Sequence, residues 1–91
     1  MYITALFTKN GDGVTGLSPR ICIVDIDAGT CTAESALMEE LKFGYYRYNA
    51  KELERNKNYA IRCDAGSTLG GNERYMYQII EVDRHRGVNE K

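Results

Sequence analysis

The stretch LERNKNYAI, residues 53–61, decides the predicted fold of this chain. Leu53 precedes Tyr59 by six positions, and Tyr59 opens a segment in which apolar and polar residues alternate. This spacing predicts a corner at which the Tyr59 ring packs on the core and its hydroxyl satisfies a backbone carbonyl a few residues upstream. Leu53 is expected to lie beneath that corner. The stretch therefore indicates an architecture and leaves function open.

Outward from this corner, alternation with a period of two dominates the sequence, as is typical of β-strands. No segment offers a crossover helix, which argues against an α/β fold. We predict an all-β fold, an antiparallel two-sheet sandwich of about seven strands, with a five- or six-stranded barrel as the alternative. The expected strands are residues 2–8, 20–27, 30–34, 36–41, 45–48, 59–64 and 73–83.

A series of short motifs runs in a fixed order along the chain. They are Gly16-Leu17-Ser18-Pro19, Asp27-Ala28-Gly29, Met38-Glu39-Glu40, Gly44-Tyr45-Tyr46-Arg47-Tyr48, Lys57-Asn58-Tyr59 and Asp64-Ala65-Gly66. Together with the tyrosine corner, this order resembles small immunoglobulin-like or fibronectin type III-like modules of phage and archaeal-virus structural proteins. The resemblance implies an immunoglobulin-like β-sandwich at residues 1–83, followed by a polar C-terminal tail at residues 84–91. It also implies a decorating, tail or baseplate role, and it offers no catalytic residues.

Composition limits the function classes. With 91 residues, 43% hydrophobic and 27% charged, the chain has the composition of one globular domain. A net charge of −1 with interspersed signs disfavours nucleic-acid binding. The first residues run directly into a strand pattern without a basic, apolar leader, and no apolar run reaches membrane-spanning length. We therefore expect cytoplasmic synthesis without a signal peptide, no membrane contact, and export only within an assembly such as a virion.

Three cysteines leave at least one thiol unpaired within the chain. A Cys22–Cys63 disulfide between the sheets is the tempting alternative. Alternation argues against it, because it turns Cys22 outward and Cys63 inward. We predict that Cys22, Cys31 and Cys63 are all reduced.

The sequence shows no arrangement typical of catalysis. His85 stands between two arginines in the tail, where a catalytic base has no nucleophile beside it. The glycines at 66–71 precede a strand rather than a helix, so a hairpin loop is favoured over a phosphate site. We predict no enzyme activity, no catalytic residue, no cofactor and no metal. A calcium site stays open as an alternative, because four aspartates lie near loops, namely Asp12, Asp25, Asp27 and Asp64.

The tyrosines and the last strand carry the functional prediction. One face of this strand holds Tyr75, Tyr77 and Ile79, and the other holds Met76, Ile80 and Val82. One sheet face can enter the core, so we expect an edge strand that contacts a protein partner, with a β-bulge at 79–80. The interface candidates are Tyr45, Tyr75, Met76, Tyr77 and Ile80. The predicted function is a non-enzymatic structural or interaction module of a virion or phage tail. A carbohydrate-binding module using exposed tyrosines is the alternative, although the chain has no tryptophan.

Overall fold

The computed structural model describes residues 1–82, and these form nine strands and one short 3-10 turn, Gly71–Glu73. The strands are β1 (Tyr2–Leu6), β2 (Thr8–Lys9), β3 (Asp12–Gly13), β4 (Arg20–Asp25), β5 (Thr30–Leu37), β6 (Glu39–Glu40), β7 (Tyr45–Asn49), β8 (Lys57–Asp64) and β9 (Tyr75–Val82). They pair as a three-stranded sheet in the order β1-β7-β6, a β2-β3 hairpin, and a four-stranded sheet in the order β5-β4-β8-β9. Every pair is antiparallel.

Alternating burial shows which face of each strand enters the core. In β4, Ile21 and Ile23 are buried, and their register partners on β8 are Cys63 and Ile61, which are also buried. Residues directly opposite in an antiparallel pair share a face, so these four form one apolar layer. Inward residues of the three-stranded sheet, such as Tyr46, belong to the same cluster. The two larger sheets therefore share one core.

The all-β antiparallel class is confirmed, but residues 1–82 form nine strands in three sheets rather than about seven in two. Two expected strands at 30–34 and 36–41 are instead one long β5, which absorbs two register shifts against β4, followed by the short β6. The first expected strand also breaks early. Its end becomes β2, which turns back at Asn10 and Gly11, both with positive φ (54° and 89°).

Tyr59 occupies the expected corner with a reversed hydrogen bond. Its ring is buried, and its hydroxyl accepts from the backbone N–H of Glu54 at 2.9 Å. The prediction of a carbonyl acceptor is wrong, since the backbone group held at this corner is a donor. Leu53 is half-buried and packs against the core.

A second tyrosine, Tyr46 on β7, holds a longer connection. Its fully buried ring lies 5.9 Å from that of Phe7, centroid to centroid. Its hydroxyl donates to the carbonyl of Val14 at 2.7 Å and accepts from the N–H of Leu17 at 3.1 Å. One phenol therefore fixes the segment between β3 and β4.

The last strand lies at an edge of the four-stranded sheet, next to β8. Its register runs without a shift from Asp64–Tyr75 to Lys57–Val82. The predicted bulge at 79–80 is wrong, because inward and outward side chains alternate along the whole of β9. Gln78 takes the inward position between Met76 and Ile80.

The tail predicted at residues 84–91, with His85, lies outside the described residues. Within residues 1–82 there is no helix long and apolar enough to span a bilayer.

Candidate interaction surface

The two faces of β9 differ in burial. Cys63 is opposite Met76 and Tyr59 is opposite Ile80, and both of these β8 residues point into the core. Met76 and Ile80 are accordingly half-buried and pack against the core cluster. The uninterrupted register turns even-numbered β9 side chains inward, so the structure places these two interface candidates on the core side of the strand.

The outward face of β9 carries the most exposed apolar side chains of the four-stranded sheet. Tyr77 is 69% exposed and Ile79 is 71% exposed. Ala60 of β8 is directly opposite Ile79, and together with Tyr77 these residues line a shallow depression. A second depression continues from Tyr77 across β8 to Val24 on β4. We call Val24, Ala60, Tyr77 and Ile79 the β8–β9 face.

Tyr75 lies at one end of this face in a cationic setting. Its ring stacks on that of Tyr77 with centroids 6.1 Å apart and an interplanar angle of 30°. The guanidinium of Arg74 lies 4.9 Å from the Tyr75 centroid, and that of Arg62 lies 5.4 Å away. Arg74 also pairs with Asp64 through two contacts of 2.7 and 3.1 Å. This ion pair holds the pKa of Asp64 below its usual range.

Tyr45 belongs to a different surface. It pairs with Leu6 in the three-stranded sheet and is 42% exposed. The neighbouring turn holds Phe43, which is 77% exposed. The structure therefore does not bring Tyr45 together with the β9 tyrosines.

The loop aspartates are engaged in structural bonds or stand apart. Asp25 is buried and accepts from the N–H groups of Asp27 and Ala28 and from Lys57 Nζ, at 3.0, 3.1 and 3.2 Å. The Ala28 N–H contributes most to a lowered pKa of Asp25, followed by Lys57 against the opposing effect of burial. Asp12 and Asp27 are exposed. Within residues 1–82, no three His, Cys, Asp or Glu side chains are grouped as metal ligands.

All three cysteines are free thiols. Burial raises the pKa of Cys63 to about 11, which keeps this thiol protonated and inert at neutral pH. Cys22 is half-buried and Cys31 is exposed, as outward positions require.

Two residues that matter were not among the interface candidates. Ile79 and Ala60 complete the β8–β9 face, and strict alternation from Tyr77 would have found Ile79. Identifying Ala60 required the register between β8 and β9, which cannot be read from the sequence.

No protein-family model, curated protein or solved structure matches the chain.

Proposed function

We propose that this protein is a non-enzymatic structural module that assembles with other protein chains through the free edge of β9, the edge strand of its β8–β9 face. The observation that carries the proposal is the exposure of Tyr77 and Ile79, at 69% and 71%, next to each other on an edge strand. Two large apolar side chains held in water on a rigid sheet are costly for a monomer, and a contiguous apolar patch is typical of a contact surface.

A second copy of this chain is the partner that β9 favours. Ala65 donates to the carbonyl of Arg74, so alternation aims the backbone groups of the odd-numbered β9 residues away from β8. Those residues, among them Tyr77 and Ile79, are also the ones with outward side chains. An antiparallel copy related by a two-fold axis through Gln78 would place Tyr77 of one chain opposite Ile79 of the other, twice. Aromatic and β-branched residues form favourable cross-strand pairs.

The wider setting rests on the resemblance. Two antiparallel sheets around one core, with Tyr59 bonded to backbone at a corner, support an immunoglobulin-like sandwich as the finer description of the fold. We place such a module in a virion or phage-tail assembly, as a capsid decoration or a tail or baseplate accessory. Detecting this chain in purified particles by mass spectrometry would test the setting independently of the interface.

One observation supports a second candidate function. The Tyr77 ring is exposed and stacked on Tyr75 with Arg62 nearby, and a sugar ring can stack on such an aromatic surface. A carbohydrate-binding module is therefore the alternative. A glycan array probed with the parent and with Tyr77→Ala distinguishes it, because only this alternative gives glycan signals that the substitution removes.

The main test measures molar mass by light scattering over a concentration series. The parent is expected to approach a dimer mass at high concentration, whereas Tyr77→Asp and Ile79→Asp shift the equilibrium toward monomer. Phe43→Asp is the matched control, because it charges an even more exposed apolar residue in a turn beside the other sheet. Far-UV circular dichroism shows whether each variant folds. A parent that stays monomeric throughout, or folded Tyr77 and Ile79 variants that dimerise like the parent, would refute this interface.

A further inference from the structure

Two of the three thiols meet on the outward face of the four-stranded sheet. Cys31 on β5 has Val24 as its register partner on β4, and Cys22 lies two residues before Val24 on the same face. The two thiols line one surface groove. We propose that Cys22 and Cys31 form a redox-active pair, which a low-molecular-weight disulfide such as glutathione disulfide converts into a reversible intramolecular disulfide.

The sheet brings this pair together by an irregularity in β5. Cys22 is opposite Glu34 and Val24 is opposite Cys31, so β5 uses one residue more than β4 over this interval. The extra residue is a β-bulge, which re-aims side chains on the bulged strand. Cys63 faces the core on the other side of the sheet and cannot join them. The β4–β5 register and the burial of Cys63 therefore leave Cys22 and Cys31 as the one possible pair.

The groove around the two thiols is lined by charged side chains of both signs, namely Arg20, Glu34, Arg62 and Asp64. Arg62 on β8 is the register partner of Cys22, and both residues line the groove with Cys31. Directly opposite residues in an antiparallel pair lie side by side on one face, so Arg62 contributes a positive charge to the groove. This charge can bind a carboxylate of glutathione disulfide. Cys31 is exposed and stands ready as the second thiol.

The reaction is two successive thiol–disulfide exchanges. Cys22 loses its proton, its sulfur attacks one sulfur of glutathione disulfide, and the S–S bond breaks to release one glutathione thiolate. Cys31 then loses its proton and attacks the Cys22 sulfur of this mixed disulfide, releasing the second glutathione. The protein loses two protons and two electrons, and one glutathione disulfide becomes two molecules of glutathione. Excess reduced glutathione reverses both steps.

The test equilibrates the whole protein with defined mixtures of reduced and oxidised glutathione, followed by acid quenching, alkylation and tryptic mapping. A pH of about 9 is used, because the pKa of Cys31 is raised by desolvation and by the neighbouring Cys22 thiol and Glu34. Both thiols fall in the tryptic peptide 21–42, and Cys63 falls in the peptide 63–74. The expected product is peptide 21–42 unalkylated and lighter by two hydrogens, with Cys63 still a thiol.

Two comparisons show whether the fold is responsible. Cys22→Ser and Cys31→Ser should each stop at one glutathione adduct. The native protein should close the disulfide at a glutathione disulfide concentration at least about ten times lower than the concentration that the urea-unfolded chain requires. Full alkylation of peptide 21–42 at every ratio, stable double adducts, or equal closure in the unfolded chain would overturn the proposal.

Discussion

The two buried tyrosines allow one substitution to be compared at two sites. Tyr46 and Tyr59 are both fully buried, and changing either to Phe removes only a hydroxyl. Tyr46 uses its hydroxyl for two backbone bonds, whereas Tyr59 uses its hydroxyl for one. At about 1 kcal/mol for each net hydrogen bond, Tyr46→Phe should lower the free energy of unfolding by about 2 kcal/mol and Tyr59→Phe by about 1 kcal/mol.

The local surroundings widen this difference. Loss of the Tyr46 hydroxyl leaves the carbonyl of Val14 and the N–H of Leu17 without this partner, and both residues are half-buried. Glu54 is exposed, so its freed N–H can bind water. An unsatisfied buried group carries the full desolvation penalty, which a hydrated one avoids.

The assay is urea denaturation of the parent and three variants, with Tyr45→Phe as the exposed control on β7. The urea midpoint should be highest for the parent and nearly the same for Tyr45→Phe, lower for Tyr59→Phe and lowest for Tyr46→Phe. The slopes should be unchanged. Unchanged slopes show that the variants expose the same surface on unfolding. The reasoning fails if Tyr59→Phe is as destabilising as Tyr46→Phe, or if the Tyr45 control moves as far as either.

Three further outcomes follow from contacts of the described residues. Gly44→Ala should lower the free energy of unfolding by about 3 kcal/mol or more, because at φ +92° the added Cβ would lie 2.7 Å from backbone atoms. Gly11→Ala has a similar φ of +89° but nothing within 4 Å, so it should lower that free energy by only about 1–2 kcal/mol. Equal urea midpoints for the two variants would contradict this. The pKa of Asp25 is lowered in the folded state, so the unfolded chain binds more protons and stability should fall as pH drops below about 4. Urea melts at several pH values should show a weaker dependence of stability on pH for Asp25→Asn. Gln78→Met should raise the free energy of unfolding by about 1 kcal/mol in the same assay, because the buried Gln78 Nε2 has no hydrogen-bond partner within residues 1–82. A loss of stability would show that the amide is hydrogen-bonded.

Sequence reasoning succeeded where one side of a strand must be buried. The alternation around Ile21 and Tyr59 placed β4 and β8 correctly, because a slip of one residue would expose their whole apolar set. It failed at β5, where bulges break the period, and at Tyr46, whose hydroxyl bonds residues 29 and 32 positions away. Such bonds depend on the path of a loop, and alternation carries no information about that path.

The candidate surface was only partly predictable, for a related reason. Alternation identified Tyr77 as a member of one face of β9, but it could not decide which face the core would take. That choice was made by β8, whose inward residues Tyr59 and Cys63 lie opposite Ile80 and Met76. Both faces of β9 carry apolar residues in the sequence, and only the pairing with β8 decides which face enters the core.

The arrangement along β9 runs against what the stability of a monomer would favour. Gln78 points inward with a buried amide nitrogen, while Ile79 points outward and is 71% exposed. Exchanging the polar and apolar residues would remove a desolvation cost and an exposed apolar side chain together. Folding alone therefore gives no reason for this order. An outward apolar group stabilises contact with a matching surface. The order of Gln78 and Ile79 is therefore what the proposed contact through β9 would require.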